Sequence, residues 1–217
     1  VDADGMGGHL GGEIASASTV DRLRAVVEGG IVSPKNIEKA LSRAVKDIVA
    51  KYHFWMLAPL VPLRPYPAAR GSRDHLMRIA SVIEFYKNRT QLPVWLMGHS
   101  NGGISLSEYL IHARKNDRVH LISGMVVSGV RNESHFEGPI NFPMLFIHHQ
   151  KDGCSNTTYA ASLRQFEKVK AFIKAPIEFH PILGGEAESR DPCRSGFHMY
   201  FGAGQEVANL IDEFISK

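Results

Sequence analysis

Residues 98–102 read Gly-His-Ser-Asn-Gly and place Ser100 in the pattern Gly-x-Ser-x-Gly. This pattern suits a nucleophile held at a sharp turn between a strand and a helix, because the small flanking residues let the two elements approach closely. An apolar run at 93–97 precedes the turn, and helical spacing at 102–113 follows it. We therefore predict a nucleophile at Ser100. The alternative is a glycine-rich turn with an inactive serine.

A serine hydroxyl needs a base to take its proton, and the base needs a carboxylate that holds it in one tautomer. In strand–turn–helix serine enzymes the chain order is serine, acid, histidine. Asp152 lies just past the apolar run at 143–148, and His198 lies in the loop before the last helical segment. The order and the placement predict a triad of Ser100, Asp152 and His198.

Other acids are less well placed for this role. Asp117 precedes its strand-like run, Asp191 lies beside the proposed histidine loop, and Asp212 falls inside the last helical segment. A triad acid should instead follow the carboxyl end of a strand, as Asp152 does.

The remaining histidines near these runs have structural interpretations. His180 falls inside a strand-like run, where a core or sheet-face histidine is the ordinary outcome. His148 and His149 stand next to Asp152, and both a pocket-lining and an orienting role stay open for them. The chain has no His-Glu-x-x-His and no paired Cys-x-x-Cys, so the sequence predicts neither a metal site nor a cofactor.

The chain has two cysteines, Cys154 close after Asp152 and Cys193 close before His198. In a working triad the acid loop and the histidine loop must touch, so the cysteines would be neighbours. We predict a disulfide between them, with two free buried thiols as the alternative. Since disulfides persist in oxidising compartments, the pairing favours a periplasmic or secreted protein.

The elements that would position these residues follow from hydrophobic periodicity. Strand-like apolar runs fall at 54–60, 93–97, 119–127, 143–148 and 177–183. Helical spacing falls at 18–29, 34–51, 73–86, 102–113, 159–173 and 204–216, after a glycine-rich loop at 1–12. Apolar strands that alternate with helices predict the α/β class, with a mostly parallel sheet flanked by helices on both faces.

Length and composition narrow the possibilities further. The 217 residues, 44% of them hydrophobic, suit a single domain over 1–217. The net charge of +3 comes from scattered lysines and arginines, so we expect no nucleic-acid partner. The longest apolar stretch, 54–63, is too short to span a bilayer. The first residues lack the pattern of a signal peptide, and the mature product of a secreted precursor stays open as an alternative.

Together these residues resemble the serine branch of the α/β-hydrolase superfamily, and more closely its small exported bacterial members. Those members carry His-His-x-x-Asp-x-Cys on the acid strand and Asp-Pro-Cys before the base, which correspond to HHQKDGC at 148–154 and DPC at 191–193. The segment LPVWL at 92–96 also resembles them. The resemblance covers 54–217. A typical member has an apolar strand before its oxyanion loop, whereas only Val1 precedes Asp2 here, so we expect the N-terminal strands of the fold to be missing or trimmed.

The resemblance implies esterase-type chemistry. A carboxylic ester, of a small molecule or a polymer, would be cleaved through an acyl-enzyme, with oxyanion donors from the Asn101 N–H and from around Met6 or Gly7. A thioesterase or an amidase or peptidase could use the same triad. A catalytically silent binding domain is the alternative of a different class. The sequence does not specify the oligomeric state.

Overall fold

The computed structural model describes residues 24, 55–57, 67–187 and 191–217. Several predictions concern residues outside this set: the glycine-rich start with Met6 and Gly7, the early helices at 18–29 (apart from residue 24, which is helical) and 34–51, and the missing or trimmed N-terminal strands. The single domain over 1–217 stays a prediction for the same reason.

The described strands form a five-stranded parallel sheet in the order β1-β2-β3-β4-β5, which is also their order in the chain. The strands are β1 (Trp55–Leu57), β2 (Val94–His99), β3 (Gly124–Ser128), β4 (Met144–His149) and β5 (Ile177–Ile182). The α-helices between and after them are α1 (Arg73–Thr90), α2 (Asn101–Lys115), α3 (Tyr159–Lys170) and α4 (Gly204–Ile215). This confirms the predicted α/β class and the parallel sheet.

Helices cover both faces of the sheet because the central strands are apolar on both sides. Every residue of β3 and β4 is buried. Met125 and Phe146 point into the core cluster shared with α1, α2 and α3. Their neighbours Val126 and Leu145 point into the cluster shared with α4. Adjacent residues of a strand face opposite sides, so continuous apolar runs are what a sheet covered on two faces requires.

The predicted strand at 119–127 is wrong in its first part. Val119–Leu121 form a 3₁₀ turn, and the strand begins only at Gly124. Val119 and Leu121 are half-buried against the core cluster shared with α1, α2 and α3. Their side chains therefore contribute to packing rather than to the pairing of strands. Gly124 lies directly against the ring of Trp95 on β2, and an added Cβ would overlap that ring.

The other elements agree with the predictions apart from their ends. Helix α3 stops at Lys170 rather than at residue 173, because Ile173 leaves the helix and pairs with Ile140 in an isolated bridge. Helix α2 begins at Asn101, directly after Ser100. Because β2, β3 and β4 are parallel, their carboxyl ends lie at the same edge of the sheet. Residues 99–100, 128–129 and 148–152 therefore lie close together at that edge.

Candidate active site

Ser100 occupies a strained turn between β2 and α2. Its φ of 51° and ψ of −115° lie in a region that residues with a side chain rarely adopt. Two backbone hydrogen bonds fix this geometry: the Ser100 N–H donates to the Ser128 carbonyl at 2.9 Å, and the Gly103 N–H donates to the Ser100 carbonyl at 2.9 Å. The turn has the geometry of a nucleophile elbow.

Gly98 lets strand β2 and helix α2 approach each other at this turn. A Cβ at position 98 would lie 2.6 Å from both the carbonyl carbon and the carbonyl oxygen of Gly102, and 2.8 Å from Leu106 Cδ1. Backbone atoms cannot yield as a flexible side chain can. Any side chain at position 98 therefore has to push the helix away from the strand.

We expect Gly98→Ala to lower the free energy of unfolding by about 1–3 kcal/mol, since overpacking against backbone forces the turn open. Urea denaturation measures the loss. Gly153→Ala is the matched control, because its nearest contact would be an ordinary 3.4 Å to Pro192 Cβ. Equal stability of the two variants would contradict the role assigned to Gly98.

The acid and the histidine proposed from the sequence meet in the structure. His198 Nδ1 lies 2.8 Å from Asp152 Oδ2, although 46 residues separate the two in the chain. Asp152 follows β4, and His198 lies in the 3₁₀ turn Gly196–Met199 before α4. Both side chains are only 1% exposed. A carboxylate only accepts, so Nδ1 carries the hydrogen and Nε2 is left with its lone pair.

Asp152 is surrounded by hydrogen-bond donors. Its Oδ2 atom also accepts from His148 Nε2 at 3.0 Å and from Thr157 Oγ1 at 3.0 Å, while Oδ1 accepts from the Cys154 N–H at 2.8 Å. Burial acts to raise the pKa of this carboxyl, but the hydrogen bonds from His148 and His198 outweigh it and hold the pKa well below its usual range. Asp152 is therefore ionised at neutral pH.

The His198 ring lies beside His99, the residue before Ser100, and above Gly129. Among the described residues, His198 Nε2 is buried and has no hydrogen-bond partner. The ring centroid lies 4.8 Å from that of His99, the residue before Ser100. Gly129 lies beneath both rings with a φ of 47°, and a Cβ there would fall 2.8 Å from His99 Cε1 and 3.6 Å from His198 Cε1. The Ser100 hydroxyl and His198 Nε2 make no hydrogen bond in this arrangement. The structure therefore brings the predicted acid and the predicted base together but does not join the predicted nucleophile to them.

A hydrogen-bonded chain anchors His99 to the sheet. The single hydroxyl hydrogen of Tyr200 goes to the Ile147 carbonyl at 3.0 Å, so Tyr200 accepts from Ser128 Oγ at 2.9 Å. The Ser128 hydrogen is thereby used, and His99 Nδ1 must donate to Ser128 Oγ at 3.0 Å. Burial raises the pKa of Tyr200 well above its usual range, so the phenol stays protonated and the chain stays intact.

A disulfide joins Cys154 to Cys193, with the two Cα atoms 4.5 Å apart, and confirms the predicted pairing. Cys154 follows Asp152 and is buried, whereas Cys193 precedes the turn that carries His198. Asp191, one of the acids rejected above, accepts the Cys193 N–H at 2.9 Å and lies on the surface. The disulfide therefore ties the acid loop to the histidine loop at the position where the two side chains meet.

Ser100 follows β2, Asp152 follows β4 and His198 lies in the turn before α4, on a parallel sheet that is consistent with a trimmed α/β-hydrolase fold. No protein-family model matches the chain, and no curated protein sequence matches it. Among solved structures, a protein of unknown function from Agrobacterium tumefaciens, assigned to the α/β hydrolases, is similar over 67% of this chain and 60% of its own, at 15% identity and a TM-score of 0.48.

Two further solved structures show the same level of similarity. A serine hydrolase without a lid from Xanthomonas campestris is 11% identical over 68% of this chain and 57% of its own, with a TM-score of 0.47. A thioesterase of the prodiginine pathway from Streptomyces coelicolor is 11% identical over 65% of this chain and 69% of its own, with a TM-score of 0.45. The chain thus spans less than two thirds of the length of the first two proteins. All three scores lie below 0.5, so the fold assignment rests on the strand order and the turn at Ser100.

His149 and His180 each bond to groups other than Asp152 and His198. His149 Nδ1 accepts from the Lys151 N–H at 3.0 Å, so Nε2 donates to the Gly184 carbonyl at 2.7 Å, and Phe197 stacks on the ring at 4.3 Å. His149 therefore links the acid loop to the two segments beside it. His180 pairs with Glu178 at 2.9 Å on the half-exposed surface of β5, as expected of a sheet-face histidine.

The predicted oxyanion donors lie only in part among the described residues. Asn101 is the first residue of α2, and the N–H groups of a first helical turn have no acceptor within their own helix. The other predicted donors, Met6 and Gly7, lie outside the described residues. Within the described residues, no group of three His, Cys, Asp or Glu side chains is arranged to hold a metal ion.

Three residues of the site were not identified from the sequence: Thr157, Gly129 and Tyr200. Thr157 contacts both Asp152 and His198 Nδ1, the latter at 3.1 Å. Gly129 follows β3 directly. A glycine just past the end of a central strand could have indicated from the sequence that this position lies at the site. Tyr200 had no comparable signal, because its hydrogen bonds depend on long-range packing.

Proposed function

We propose that the chain is a serine hydrolase that cleaves a carboxylic ester, with Ser100 as nucleophile, His198 as general base and Asp152 as the orienting carboxylate. The observation that carries the proposal is the buried contact of 2.8 Å between His198 Nδ1 and Asp152 Oδ2, which leaves His198 Nε2 as a ring nitrogen without a hydrogen-bond partner among the described residues.

The steps follow from this arrangement. As Ser100 Oγ attacks the ester carbonyl carbon, His198 Nε2 takes its proton, and the resulting imidazolium is stabilised by ionised Asp152. The tetrahedral intermediate expels the alcohol, which takes the proton from His198, and leaves an acyl-Ser100 ester. A water molecule deprotonated by Nε2 then attacks the acyl carbon. Ser100 leaves with the proton, and the carboxylic acid is released.

The negative charge of the tetrahedral oxygen needs backbone donors. The N–H of Asn101 supplies one, supported by the positive end of the α2 dipole. The second is proposed to come from the backbone around Met6 or Gly7. Loss of one such donor in other serine enzymes lowers kcat by about 100–1,000-fold, so both are required for useful rates.

A fluorophosphonate probe tests the nucleophile directly, because it phosphonylates only an activated serine and releases fluoride. We expect stoichiometric labelling of the wild type and of Ser155→Ala, whose exposed serine lies on the acid loop, and no labelling of Ser100→Ala. Labelling of all three proteins would place the reactive group elsewhere. No labelling of the wild type under non-reducing conditions would favour a catalytically silent binding domain with this fold.

The same triad could cleave a thioester or an amide. Paired acyl esters, acyl thioesters and acyl amides of equal chain length would separate these activities by kcat/KM. We propose an open site suited to short acyl chains or a bulky polymeric ester, since no long insertion lies between Ser100 and His198. Hydrolysis of long-chain but not of short-chain esters would contradict that proposal.

The proposed location is periplasmic or extracellular. The supporting observation is the disulfide between Cys154 and Cys193, because such bonds persist in oxidising compartments. Among the described helices, none combines the length and hydropathy of a transmembrane segment. The proposed partner is the small-molecule or polymeric ester substrate, and we propose neither a nucleic acid nor a cofactor.

A further inference from the structure

His148 is the most completely buried imidazole beside the triad. It lies at position 148 of β4, has 0% exposure, and places Nε2 3.0 Å from Asp152 Oδ2. That oxygen is the same atom that His198 Nδ1 contacts at 2.8 Å. Two imidazoles therefore share one carboxylate oxygen, and the mechanism above uses only one of them.

The position of the hydrogen on His148 follows from its partners. A carboxylate oxygen accepts only, so Nε2 must carry the hydrogen. The other nitrogen, Nδ1, is buried and has no hydrogen-bond partner among the described residues. A proton there would be buried without an acceptor and would cost more free energy than a bare lone pair does. His148 is therefore a neutral donor to Asp152.

We propose that His148 is a positioning residue that acts through Asp152 and sets how strongly this carboxylate stabilises the protonated form of His198. The proposal rests on the proposed function, since it assigns His198 as the base. A donor on Oδ2 withdraws negative charge from the oxygen that faces His198 Nδ1. Without that donor the full charge would favour the imidazolium, and His198 would remain protonated to higher pH.

Few other groups act on this carboxylate. Thr157 donates to the same oxygen from the segment before α3 and carries no charge. The Tyr159 ring of α3 meets the His148 ring edge-on at 5.8 Å. Tyr200 interacts with Asp152 electrostatically but is a buried neutral phenol, and His99 faces His198 from β2. The Cys154 N–H donates to the other oxygen, Oδ1, at 2.8 Å. Against the effect of burial, the hydrogen bond from His148 does most to lower the pKa of Asp152, so His148 is the donor to test.

Two substitutions separate the hydrogen bond from the volume of the side chain. His148→Leu fills similar space without a donor, whereas His148→Gln can place its amide nitrogen near the position of the histidine Nε2. His180→Leu is the control, since His180 pairs with Ile147 in register and so lies on the opposite sheet face from His148. The readout is the pKa of His198 from NMR titration of its Cε1–H resonance, which requires no turnover.

We expect His148→Leu to raise the pKa of His198 by about 0.5 or more and to shift the acidic limb of kcat/KM to higher pH by the same amount. His148→Gln and His180→Leu should keep the wild-type pKa. An unchanged pKa in His148→Leu, or equal rises in His148→Leu and His148→Gln, would overturn the proposal. Because the titration is read without substrate, failure of the proposed function shows separately, as absent fluorophosphonate labelling of the wild type.

Discussion

Asp152→Asn should lower kcat/KM on a short-chain activated ester by about 10⁴-fold, the size of loss seen when a triad carboxylate becomes an amide. An amide can turn its NH₂ group towards His198 Nδ1, which then becomes the acceptor, and Nε2 would carry the hydrogen instead. Ser100 would lose its base. Steady-state kinetics across pH 6–9 measures the effect.

The matched control is Asp191→Asn, which makes the same chemical change on the exposed histidine loop. We expect Asp191→Asn to retain activity within a few-fold of the wild type. Circular dichroism and thermal melts of both variants separate loss of chemistry from loss of fold. Activity of Asp152→Asn within tenfold of the wild type would show that Asp152 is not the triad acid.

Removing the disulfide should be the largest single change in stability. The bond closes a loop of 39 residues in sequence, and the chain-entropy model gives about 4 kcal/mol for a loop of that size. We therefore expect the double variant Cys154→Ser, Cys193→Ser to lose about 4 kcal/mol in urea denaturation. Activity should fall as well, because the bond holds the Asp152 loop against the His198 turn.

Reduction of the wild type with dithiothreitol provides an independent route to the same state. The reduced wild type and the double variant should share one midpoint of unfolding, while dithiothreitol should leave the midpoint of the double variant unchanged. A double variant as stable as the oxidised wild type would show that the bond adds nothing to the fold. Fluorophosphonate labelling of each form shows whether the triad stays assembled.

The parts of the fold predicted correctly are those set by local pattern. The continuous apolar run ending at His149 is what a strand buried on both faces needs, and the Gly98–Gly102 spacing marks a strand packed closely on a helix. The error at 119–127 has a tertiary cause. The apolar side chains of Val119 and Leu121 satisfy a packing requirement that a 3₁₀ turn meets as well as a strand does.

Residues of the candidate site could be proposed from the sequence where the proposed chemistry demands a particular side chain at a particular strand end. Asp152 met that criterion, and so did the two cysteines, because loops that meet bring their neighbours together. Thr157 and Tyr200 did not, since a hydroxyl contributes to many structures and only the folded arrangement selects these two. The role of His148 was left open by the sequence because neighbouring positions on a strand face opposite sides, and either histidine could have faced the acid.

The strand order sets a fixed distance between the proposed nucleophile and the proposed acid. Ser100 follows β2 and Asp152 follows β4, so the width of two strand spacings, about 10 Å, separates their backbones. The imidazole of His198 lies in that interval, above the end of β3. No side chain can therefore occupy the position directly after β3. Gly129, with its φ of 47°, meets this requirement because it has no Cβ. A redesign for another substrate can vary the surrounding loops, but position 129 has to stay a glycine, because a side chain there would meet the rings of His99 and of the proposed base His198.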